Sequence, residues 1–62
     1  MKITFQKSAS GTNGEPYEAA MMSIAFPDSV PESLAIARAV KEFEEHAGVS
    51  HWQQAADRYI IT

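Results

Sequence analysis

Glu42 and His46 stand one helical turn apart, and His51 and Asp57 follow close behind. A carboxylate and an imidazole at i, i+4 spacing can share a metal ion. No HExxH or comparable ligand motif is present, however, and two histidines without a cysteine cannot fill a tetrahedral zinc site unless carboxylates join them. A histidine in the last turn of a helix is also favoured by the helix dipole alone. Neither a metal nor a cofactor is expected.

Covalent or acid–base catalysis needs a nucleophile, a base beside it and a pocket that excludes water. Serines, threonines, two histidines and eight carboxylates are available. No G-x-S-x-G elbow, P-loop or dinucleotide fingerprint organises them. A domain of one thin pair of layers also leaves little volume for a ligand pocket of ~300 Å3 or more. The residues point away from an enzyme.

Charge supplies two surface readings. Glu42, Glu44 and Glu45 form an acidic patch, with Asp57 a possible neighbour. Such a run is either a solvated helix face or a contact for a basic groove on a partner protein. The basic residues Lys2, Lys7, Arg38, Lys41 and Arg58 are scattered, and the net charge is −3. Nucleic-acid binders cluster their basic side chains, so DNA or RNA binding is disfavoured. The alternative that keeps it alive is a nucleic-acid-associated regulator whose dimer gathers Lys2, Lys7 and Arg58.

Several elements must position these residues. Met1 to Lys7 alternates apolar and polar residues, the period-2 signature of a half-buried strand. Tyr17 to Phe26 is a second strand, ended by Pro27 and Asp28. Between them Asn13-Gly14 suits a two-residue type I′ hairpin turn. That turn pairs Thr12 with Glu15, hence Phe5 with Met22, Ile3 with Ile24 and Met1 with Phe26. A slip of one residue would set polar against apolar along the hairpin.

A long helix is expected from about Pro31 to Ala47. Proline suits a first helical turn, and Asp28 or Ser29 can cap its free amides. Ile36, Val40, Phe43 and Ala47 make one apolar stripe. Gly48 then fits a left-handed C-terminal cap, with Val49 able to pack back on Phe43. Ser50 and Gln53 read as a capping box that opens a short helix from about His51 to Asp57. Trp52 would plug one end of the core, alongside Ala55, Ala56 and Tyr59. Arg58 to Thr62 is β-rich and forms a third strand. The expected architecture is an α+β two-layer sandwich, with three strands in order 2-1-3 and one long helix over the face bearing Ile3, Phe5, Met22 and Ile24.

On that register the opposite sheet face carries Thr4, Gln6, Tyr17, Ala19, Met21, Ser23 and Ala25, with Ile60 a candidate to join them. It is unusually apolar for a face turned to water. Tyr17, Met21 and Ile60 are therefore candidate partner-binding residues, together with Glu42, Glu44 and Glu45. A domain of 62 residues has a thin core and the chain has no cysteine for a disulfide, so a partner subunit is the support left open. Lack of cysteine fits a reducing compartment, and no apolar run is long enough for a membrane span; a cytoplasmic location is expected. The resulting reading is a small, non-catalytic protein-interaction module, homodimeric, that binds or occludes a partner protein. Its size and style suit a phage or mobile-element accessory protein.

Overall fold

The computed structural model describes every residue from Met1 to Thr62. Two strands, β1 (Lys2–Ser10) and β2 (Pro16–Ala25), precede the helix α1 (Glu32–Ala47). A short 3-10 helix (Trp52–Gln54) and a last strand, β3 (Arg58–Ile61), complete the chain. The three strands lie in the order β2-β1-β3, and β1 runs antiparallel to both neighbours. One helix layer covers one face of this sheet, so the fold is the expected α+β sandwich.

At the base of the hairpin the register follows the alternation. Ile3 faces Ile24 and Phe5 faces Met22. Met1 and Phe26 close the ladder, the Phe26 N–H donating to the Met1 carbonyl at 2.8 Å and the Met1 amine donating to the Phe26 carbonyl at 3.1 Å. Ile3 and Phe5 are completely buried. Ala35, Ala39 and Phe43 of α1 close over them, and Ala56 seals the end. The Phe5 and Phe43 rings stack at a centroid distance of 4.3 Å. Trp52 and Tyr59 meet Phe5 at 5.8 and 5.9 Å, in tilted to edge-on geometries that aromatic quadrupoles favour. Alanines at two of the three buried helix positions let the backbone of α1 approach the sheet closely.

Toward the tip the register slips. Gln6 faces Ala20, and the pairing continues to Ser10 opposite Pro16. Met21 is left as an extra, unpaired residue, a β-bulge between the partners of Phe5 and Gln6. The turn explains the slip. The Gly14 N–H donates to the Gly11 carbonyl at 2.9 Å, and the Gly11 N–H donates to the Glu15 carbonyl at 2.8 Å. The loop is thus Thr12-Asn13-Gly14, not the two-residue turn that pairs Thr12 with Glu15. A type I′ turn would require positive φ at Asn13 as well as at Gly14. In the observed turn only Gly14 is left-handed, with φ 79°. The strands consequently run further than alternation suggested, β1 reaching Ser10.

Two caps also differ from expectation. Pro31 itself is the N-cap of α1, with ψ 144° and no side-chain capping bond. The Val30 N–H bonds back to the Pro27 carbonyl, so Asp28 and Ser29 are held in a turn ahead of the helix. The 3-10 helix is shorter and begins one residue later than the expected helix at His51. His51 is its N-cap: Nδ1 accepts from the Gln53 N–H, while Gln54, not Gln53, reaches back to the His51 N–H. The glycine cap of α1 is as read, although Val49 is not among the residues packed on the core of Phe43. Gly48 is left-handed at φ 71°, and the N–H groups of Gly48 and Val49 converge on the Glu44 carbonyl.

The hairpin outruns the helix. The molecule measures 43 × 25 × 14 Å, and its radius of gyration is 12.7 Å. A compact chain of this length would have a radius of about 11 Å. The excess comes from the distal arm, where no residue from Gln6 to Ala20 is buried.

Candidate interaction surface

The slip at Met21 redraws both faces of the sheet. On β1, Thr4, Gln6 and Ser8 point away from the helix, and their partners on β2 are Ser23, Ala20 and Glu18. Tyr17 and Ala19 face Ala9 and Lys7, on the helix side of the arm. They do not belong to the open face, as an unbroken register would have it. The open face is correspondingly more polar than the sequence suggested.

Side-chain bonds run along this open face, and the one between Ser8 and Glu18 belongs to the slipped register alone. Thr4 and Ser23 share a hydroxyl–hydroxyl bond of 2.8 Å, and the Ser8 hydroxyl donates to Glu18 at 3.2 Å. The Arg58 Nε donates to Gln6 Oε1 at 3.0 Å and stands 3.9 Å from the Glu18 carboxylate. Ile60 lies opposite Thr4 on the same face, half-buried. Thr4 is buried at the centre of this arrangement, the one polar member of the buried set.

The other candidate residues are dispersed. Tyr17 is 54% exposed and Met21 49% exposed. The Tyr17 ring lies against Gly11, where a Cβ would meet it at 4.0 Å, so it covers the bare backbone of the turn. Glu44 is turned inward: its carboxylate accepts the Trp52 N–H at 2.8 Å and ties the 3-10 helix to α1. Glu42 and Glu45 remain exposed, each four residues beyond a basic residue, Arg38 and Lys41. The acidic run is therefore a mixed-charge helix face plus one structural carboxylate. Leu34 shares the outward face by its spacing and is an exposed apolar residue outside the apolar stripe. Trp52 is half-buried and meets the Tyr59 ring at 5.5 Å, as part of the aromatic cluster.

The basic residues stay apart. Lys2 and Arg58 belong to the open face, and Lys7 to the other. His46, His51 and Glu42 are not gathered into a group that could hold a metal. No pocket opens between the layers, and every buried side-chain polar atom has a partner. No helix is long and apolar enough to cross a membrane.

The outer edge of β2 is the longest uncovered feature. The bonded pairs Met1–Phe26 at the base and Gly11–Glu15 at the tip fix which backbone groups point toward β1. Alternation then turns the N–H and C=O groups of Glu18, Ala20, Ser23 and Ala25 outward. Pro16 falls in the same outward set, where its missing N–H breaks no ladder bond. The β3 side of β1 is better covered: the Asp57 N–H donates to the Gln6 carbonyl, and the Asp57 carboxylate accepts the Ser8 N–H at 2.6 Å.

No known protein family, curated protein or solved structure matches this chain.

Proposed function

We propose that this chain is a small, non-catalytic interaction module that works as a homodimer by binding or occluding a partner protein. The observation that supports it is the one-sided sheet with its projecting arm. Burial is confined to the hairpin base, and ten residues of β2 present an unpaired backbone edge beside exposed Tyr17 and Met21. Monomeric domains usually shorten, charge or cover such an edge, or interrupt it with a proline or a β-bulge; this one carries Pro16 and the Met21 bulge, yet stays long. Only Glu18 is charged among these residues, and no further strand pairs with their outer edge. The mixed-charge face around Glu42 and Glu45 would steer the encounter, while Ile60 and the open face supply a second contact. A phage or mobile-element accessory role suits a module of this size.

The test is a tagged pull-down from source-cell lysate, with and without nuclease, at two salt concentrations. Wild type and the Met21→Glu and Ile60→Glu variants serve as bait. A protein retained after nuclease by wild type, and lost from either variant, is the expected result. Recovery of nucleic acid in place of protein would make the chain a regulator that gathers Lys2, Lys7 and Arg58. Partners held equally by all three baits would overturn the assignment of these surfaces.

A further inference from the structure

We infer that the outer edge of β2 pairs antiparallel with the same edge of a second copy, about a twofold axis between Ala20 and Met21. This rests on reading the chain as an interaction module, and it names that module's first partner. In this register Glu18 lies opposite the second copy's Ser23, Tyr17 opposite its Ile24, Ala19 opposite its Met22 and Pro16 opposite its Ala25.

Three features converge on it, the first two both consequences of the bulge. The first is side-chain direction. In an unbroken strand residues 17 and 24, or 18 and 23, point to opposite faces, and a twofold pairing that matched them would be impossible. The bulge at Met21 reverses the alternation. Tyr17 and Ala19 thereby share the helix face with Met22 and Ile24, and Glu18 and Ala20 share the open face with Ser23 and Ala25. The slip that spoils an even ladder to β1 creates a strand that matches itself.

The second feature is backbone direction. Glu18 and Ser23 both turn their N–H and C=O groups outward, so the pair can exchange two hydrogen bonds, repeated by the axis. The Ala25 N–H, also outward, can donate to the carbonyl of Pro16; this outermost pair makes one bond instead of two, because proline has no N–H to offer the Ala25 carbonyl. The third feature is charge and length. A register centred on Glu18 would set two carboxylates directly opposite each other, which is destabilising. One centred on Ser23 would use only the half of the strand between Met21 and Ala25. The edge of β3 offers four residues. The proposed register uses all ten residues of β2 and leaves Glu18 opposite a hydroxyl.

The product is a continuous six-stranded sheet, β3-β1-β2-β2-β1-β3, with both helices on one side. Tyr17, exposed in one copy, lies across from Ile24 at the rim of the other copy's core. The arm that has no core of its own is thus packed beside its neighbour's, and the open face runs uninterrupted through both copies.

Cysteine cross-linking tests the register, because the chain has no cysteine of its own. Glu18→Cys and Ser23→Cys are made singly and together. Cα atoms of a bonded antiparallel pair are about 5.5 Å apart, a separation that a disulfide spans. The unmodified protein should sediment at twice its 6.8 kDa mass. Under mild oxidation the double variant should become a covalent dimer, while each single variant stays uncross-linked. Circular dichroism checks that the variants fold, and Pro16→Cys with Ala25→Cys repeats the test if they do not. Cross-linking of Glu18→Cys alone or Ser23→Cys alone would overturn the register. A dimer that none of the pairs cross-links would place the contact elsewhere and leave the homodimer standing. A monomer that still captures a protein partner would overturn the pairing and leave the interaction module intact. A monomer without a partner would remove both.

Discussion

The two halves of the hairpin share strands, a hydrogen-bond ladder and a turn, yet they are held by different forces. At the base, Ile3 and Phe5 are wholly buried beneath Ala35, Ala39 and Phe43. In the arm beyond Gln6, the same strands bury nothing. There the order comes from the glycine turn, the Tyr17 ring on Gly11, and the polar links from Asp57 and Arg58. The base is specified by packing and the arm by local geometry. Met21 sits at their junction because the two mechanisms demand registers that differ by one residue. The core fixes Phe5 opposite Met22, the turn fixes Gly11 opposite Glu15, and the surplus residue is extruded between them.

If that division is right, the base should fail first and globally. Phe5→Ala removes a ring that touches Phe43, Trp52 and Tyr59. Such a truncation costs about 3–5 kcal/mol. The whole stability of a domain of 62 residues is about 3–9 kcal/mol. Loss of a cooperative thermal transition in circular dichroism is the expected outcome. A well-folded Phe5→Ala protein would show that the aromatic cluster is not the core.

Glu44→Ala should come next. It leaves the part-buried Trp52 N–H without its carboxylate acceptor. A hydrogen bond to a charged group is worth about 1.5–3 kcal/mol, read as a lower urea midpoint with unchanged slope. The indole should become more accessible at the same time, visible as a red shift of its fluorescence. An unchanged midpoint would put Glu44 back among the free acidic residues of the helix.

The arm should respond differently. Gly14→Ala places a Cβ at φ 79°, a left-handed conformation that costs a non-glycine residue about 1 kcal/mol or more. Because the arm can open without the base, that cost should appear locally. Exchange of the amides that bond across the arm, those of Lys7, Ala9, Tyr17 and Ala19, should quicken about five-fold, the equivalent of about 1 kcal/mol. Exchange at Ile3 and Phe5 should hardly change. Equal acceleration in both halves would mean that the hairpin is one cooperative unit.

This division also marks what could be read from the residues. Where one face is buried, alternation is unambiguous: Ile3, Phe5, Met22 and Ile24 alternate with polar or small partners and fix the base register. Gly48 fixes the end of α1, but the expected stripe is rotated: Ala35, Ala39 and Phe43 are buried, Ile36 and Val40 flank them, and Ala47 is exposed. In Ala19-Ala20-Met21-Met22 every residue is small or apolar, so either parity fits equally well and a one-residue slip leaves no trace. Asn13-Gly14 is similarly double-edged, since a three-residue loop ending in glycine suits it as well as a type I′ turn. Read without the bulge, Tyr17 falls on the open face; the slip carries it to the helix side, opposite Ala9. Met21 was correctly singled out as exposed, though as a bulge residue. Glu44 could not be separated from Glu42 and Glu45, because its partner is a backbone amide eight residues away that only tertiary structure brings near.

The smallest effect on folding should fall at the junction itself. Met21 has no partner on β1 and is half exposed, so Met21→Glu removes no packed core atom. Exposed substitutions of this kind stay within about 0.5 kcal/mol, and the melting temperature should hardly move. Its effect on association should be large by contrast. A twofold axis between Ala20 and Met21 brings the two copies' position 21 side chains close together, and two carboxylates there repel. Sedimentation should show dissociation that added salt partly reverses, because screening weakens like-charge repulsion. If Met21→Glu unfolds the protein, Met21 belongs to the core, and the boundary between the packed half of the hairpin and the free half lies nearer the tip.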